Sequence, residues 1–76
     1  MKIEVGQKYK HYKTKNVYEI FAVGRSSETL EEMVVYRGLY DSLEFGNNPI
    51  WIRPKKMFCE KVKINGKEVN RFELIE

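Results

Sequence analysis

One histidine, His11, one cysteine, Cys59, and the run Ser27-Glu28-Thr29 are the residues whose types suit nucleophilic or acid–base chemistry. A serine or thiol nucleophile needs a base within hydrogen-bond reach and a third group that orients the base. Brought together, His11, Ser27, Glu28 and Thr29 would form a small enzymatic or ligand-sensing site in which His11 or Glu28 moves the proton. Taken singly, each has a plainer role. His11 reads as a half-buried strand histidine bonded to a backbone carbonyl, and Cys59, in MFCEKV, as a small apolar filler or a surface thiol. The plainer roles are preferred, and no catalytic residue is assigned. A structural zinc site takes about four Cys, His or carboxylate ligands; with one Cys and one His, no metal site is expected. No glycine-rich phosphate loop precedes a helix, and no cofactor is expected.

A second set of residues suits binding. In IWIRPKKMF, residues 50–58, strand alternation places Trp51 and Arg53 on one face and Ile50 and Ile52 on the other. In MVVYRGLY, Val34 shares a face with Tyr36, and Val35 shares the opposite face with Arg37. The pattern predicts that Ile50 and Ile52 turn to the core while Trp51 and Arg53 are presented outward. With His11, Tyr36 and Arg37 they would form an aromatic and basic surface, of the kind that stacks bases or anchors a protein partner. The competing reading has Trp51 closing one end of the fold and Arg53 pairing with Glu28, Glu31 or Glu32.

The elements that must position these side chains are short. Asn65-Gly66 is a preferred type I′ hairpin centre, because both residues accept positive φ. Folding about it pairs Ile64 with Lys67, Lys63 with Glu68, Val62 with Val69 and Glu60 with Arg71. QKYKHY and VYEIFAV read as strands joined by the polar KTKN, and MVVYRGLY and IWIR as two more. Gly38 suggests a bulge or a sharp bend. Pro54 ends its strand and opens a helical turn through KKMF. TLEE fits a capping box, with Thr29 as cap and Glu32 at its third helical position, but MVVY follows at once. The expectation is an all-β fold: a small SH3-like or OB-like barrel of five to six antiparallel strands, with at most one short helical turn. Closure would remove exposed edges.

Bulk properties bound the rest. Seventy-six residues suit one domain, 1–76. A chain this short buries about 60% of its unfolded surface, so its ten aromatic residues carry much of the core. The lone cysteine predicts a reducing cytoplasm. The opening MKIEVGQKYK has no apolar run and predicts no leader, and nothing approaches a membrane span. The net charge of +3 is uneven: residues 1–16 and 50–76 are basic, and 17–49 are acidic. The simplest arrangement has the basic ends lying beside the acidic middle and neutralising it.

GQKYKHYK, SETLEEMVVYRGLY, WIRPKKMFCEKV and NGKEVNRFELIE together resemble the bacterial domain-of-unknown-function family 1653, over Gly6 to Glu76. The resemblance implies a small β-barrel-like domain with no established activity, cofactor or partner. Two positions depart from the family pattern. Thr14-Lys15 replace a glycine after His-Tyr-Lys, which predicts a longer first hairpin loop. Ser26 replaces a histidine before Ser-Glu-Thr, which argues against catalysis. The expected function is a non-enzymatic binding module, holding a protein or peptide or single-stranded nucleic acid, with self-association through Trp51 as a further option.

Overall fold

Short apolar–polar alternations punctuated by Gly, Pro and Asn produce strands, and nine are present among the described residues. The computed structural model describes residues 2–76. The elements are β1 (Lys8–His11), β2 (Val17–Arg25), β3 (Glu32–Gly38), β4 (Asp41–Ser42), β5 (Gly46–Asn47), β6 (Ile50–Pro54), α1 (Lys55–Phe58), β7 (Lys61–Ile64), β8 (Lys67–Asn70) and β9 (Phe72–Leu74). Five of the strands form one antiparallel sheet in the order β6-β3-β2-β1-β9, while β4-β5 and β7-β8 are separate two-stranded ribbons.

The Asn65-Gly66 hairpin forms in the expected register, Val62 opposite Val69 and Lys63 opposite Glu68, with φ of +50° and +81° at the turn. Arg71 and Glu60 close its base with a 2.7 Å ion pair. Pro54 does hand β6 over to the single turn of α1.

Two local expectations need correction. Of the two roles expected for Gly38, the bend is present, at Leu39 and Tyr40, while the bulge lies at Phe21: Ile20 faces Tyr36, Ala22 faces Val35, and Phe21 is left between them. Gly38 serves a different need, since a Cβ there would lie 2.5 Å from the Tyr40 ring. TLEE forms no helix. Ser26 Oγ accepts the N–H groups of Glu28 and Thr29, Leu30 takes φ +65°, and Glu32 already opens β3. Serine and threonine oxygens thus hold a tight hairpin turn, and the following β-branched run continues as strand.

All-β is the fold class, but the sheet does not close into a barrel. The edge strands β6 and β9 pair with one neighbour each. The inner face is covered by a lid in place of closure. Tyr9, Tyr18, Ile20, Val34, Tyr36 and Phe72 are buried on it, with Ile3 and the α1 residue Phe58 packed among them. Phe58 stacks on Phe72 at 4.2 Å and 4°, and meets Tyr9 and Tyr36 edge-on. Such ring pairs contribute about 0.5–1.5 kcal/mol each beyond their buried area. Because Pro54 turns the chain onto this face, the sheet buries its rings without joining β6 to β9.

Candidate functional site

Register decides which way Trp51 and Arg53 point. β6 pairs with β3 so that Trp51 lies opposite Tyr36 and Arg53 opposite Val34. Tyr36 and Val34 are core residues, so Trp51 and Arg53 are on the inner face. The outward presentation of Trp51 and Arg53 is thus reversed, Trp51 packs against the core as the competing reading had it, and Ile50 and Ile52 are the exposed pair, at 51% and 65%. The physical reason is that the inner face takes rings, while a one-layer sheet leaves its other face uncovered whatever its side chains.

At one end of the inner face the rings run out into a half-exposed rim. The Trp51 indole Nε1 donates to Tyr40 Oη at 3.2 Å, and Tyr40 and Tyr18 join hydroxyls at 3.3 Å. Burial, with the Tyr40 bond next, pushes the Tyr18 hydroxyl up to about 12. Arg53 donates from Nε to Tyr36 Oη at 3.2 Å, and its guanidinium lies 5.6 Å from the Phe72 ring centre. Burial raises the Tyr36 pKa, and Arg53 opposes that rise. Phe45, from the β4–β5 ribbon, meets Trp51 edge-on at 5.2 Å.

His11 continues the rim on β1. Its ring meets Phe72 edge-on at 5.1 Å and Tyr12 at 4.9 Å. Nδ1 accepts the backbone N–H groups of Lys13 and Thr14 at 3.2 and 3.4 Å, which leaves the proton on Nε2. The expected carbonyl bond is therefore replaced by two amide bonds to the same ring. Partial burial, and then the charges of Arg53, Arg71 and Lys13, hold His11 below its ordinary pKa.

Arg71 was read from the sequence only as the hairpin partner of Glu60. It stands beside the rim, and its buried Nε has no hydrogen-bond partner among the described residues. The one sequence signal that could have placed it is its position next to Phe72, whose ring the rim surrounds.

Two expected members are elsewhere. Arg37 lies on the outer face, 3.5 Å from Glu19 and over the Phe21 ring at 5.1 Å. Ser27, Glu28 and Thr29 are exposed in the β2–β3 turn. His11 sits at the opposite end of β2, roughly 25 Å away at the usual rise per strand residue. The enzymatic grouping of these four residues is not assembled. Nor does Arg53 pair with Glu28, Glu31 or Glu32; among the described residues Glu32 pairs with Lys55, at 3.7 Å. No group of three or more His, Cys, Asp or Glu suited to a metal ion occurs among the described residues, and no helix there is long and apolar enough to cross a membrane.

An open antiparallel sheet with a ring-covered inner face and a tyrosine–tryptophan–arginine rim defines a small all-β domain. Residues 7–74 match the family described as "protein of unknown function (DUF1653)", and the chain belongs to that family. Its fold is similar to the crystal structure of a DUF1653 protein from Bordetella bronchiseptica, with a TM-score of 0.78 and 29% identity. That similarity covers 96% of this chain and 87% of the other. No curated protein matches the sequence.

Proposed function

We propose that the domain is a non-enzymatic binding module whose rim of Trp51, Arg53, Tyr36, Arg71 and His11 receives an anionic group, a carboxylate or a phosphate, of a larger partner. The observation that carries this is the pair of arginines. Arg53 is anchored by a neutral hydroxyl and a ring, and it makes no ion pair with a carboxylate among the described residues. Arg71 is paired through Nη2 with Glu60 and keeps an unpartnered Nε. A guanidinium presents five donors in a planar fork that fits carboxylate and phosphate oxygens. His11 adds an Nε2–H donor while staying neutral, which suits recognition better than proton transfer near neutral pH. The surrounding rings supply the rigid apolar contact typical of binding hot spots.

Amide NMR spectra test this with two probes, a short glutamate-rich peptide and a short mixed-sequence single-stranded RNA. Shifts of the Trp51 indole, Arg53, Tyr36 and His11 signals with either probe, lost in Arg53→Gln, are expected. Spectra unchanged by both would overturn the reading.

A further inference from the structure

The rim runs into a groove of about 680 Å³ between the β1–β2 loop and the β7–β8 ribbon. Lys10, Lys13 and Lys15 line one side and Lys61 the other, with His11 and Tyr12 at the joint with the rim. Two carboxylates, Glu68 and Glu73, also line it; their register partners are Lys63 and Lys10, without an ion pair among the described residues, so the lining holds four lysines against two carboxylates. Lys13, Lys15 and Lys61 make no ion pair among the described residues. As the sequence suggested, the basic ends lie beside the acidic middle: β1 flanks β2, with Lys8 opposite Glu19, β6 flanks β3, and Lys55–Glu32 is an ion pair between an end and the middle. The ends also meet each other, since β1 and β9 are sheet neighbours, and Lys13, Lys15 and Lys61 of the groove lie outside this pairing.

We infer that this groove holds the phosphate backbone of a single-stranded nucleic acid whose bases reach the rim. The inference rests on the anion-binding reading of the rim and names its partner class. Lysines bind phosphate as point charges, and a row of them can follow successive phosphates along a backbone. Here three unpaired lysines lie in the groove and the arginines lie beyond it. The His11 and Tyr12 rings, tilted 32° to one another at the joint, offer faces to bases that a duplex would keep stacked.

The test is fluorescence anisotropy with a labelled mixed-sequence RNA of about ten nucleotides, within the usual span of single-strand sites. Three phosphate contacts predict an affinity loss of roughly twentyfold between about 50 and 200 mM salt. Lys13→Glu combined with Lys61→Glu is expected to lower the slope of log affinity against log salt by about 1.4 units. Lys2→Glu combined with Lys56→Glu carries the same charge change outside the groove and is expected to leave that slope unaltered. If the groove variant fails to fold by its amide spectrum, Lys13→Gln with Lys61→Gln replaces it. Equal losses in both double variants, or binding indifferent to salt, would overturn the inference. Binding of the glutamate-rich peptide without RNA binding would overturn it and leave the rim reading standing. Binding of neither probe would sink both.

Discussion

His11 shows how little a residue's type says before its bonds are known. As the chain's one histidine it invited an acid–base role, yet two backbone amides occupy Nδ1, and partial burial, then nearby positive charges, favour the neutral ring. The sign of the linkage follows. An unfolded histidine titrates near 6.5, and the folded one lower, so the unfolded state binds a proton first as pH falls. Stability is expected to decline as pH drops through about 6.5 and to level off below the folded pKa. Urea midpoints across this range, compared with His11→Gln, check the prediction; a midpoint that rises on acidification would contradict it. An NMR titration of the ring gives the folded pKa directly.

Among the elements, the one-turn α1 matters more than its length suggests. Four residues cannot hold a helix by hydrogen bonding alone, and α1 persists because Phe58 is buried among Tyr9, Tyr36 and Phe72. Phe58→Ala is expected to cost about 3–5 kcal/mol. A domain of this length has only about 4–11 kcal/mol in total. Urea unfolding should show the midpoint collapsing towards zero denaturant. A loss below about 1 kcal/mol would mean that the sheet does not depend on its lid. The β7–β8 ribbon is the opposite case. It is exposed along most of its length, so its local turn chemistry and cross-strand pairs define it, which is why its register was readable in advance.

For the whole molecule, the sheet is covered on one face only. Arg37, Val35, Ile50 and Ile52 lie on the outer face, and Ile52 is 65% exposed. Ile52→Lys is therefore expected to change stability by no more than about 0.5 kcal/mol. Had Ile52 filled a core, as alternation in the sequence suggested, the same change would cost several kcal/mol. Thermal melts of the two proteins separate these cases, and sedimentation of each shows whether the apolar outer face joins two copies.

Local chemistry alone determined the strands, the Asn65-Gly66 register, the Pro54-to-α1 handover and the sharing of faces by Trp51 with Arg53 and by Tyr9 with His11. These depend on neighbours within a few residues, through φ preferences and the two-residue period of a strand. Period 2 shows which residues share a face, but not which face is buried. That choice belonged to Phe58 and Ile3, brought in from distant parts of the chain. The same holds for Arg71 and Arg53 acting on the same His11 ring, the Phe21 bulge, the open sheet and the meeting of the basic ends. Each depends on which strands become neighbours, and only the pairing of β1 with β2 and β9 and of β3 with β6 decided that.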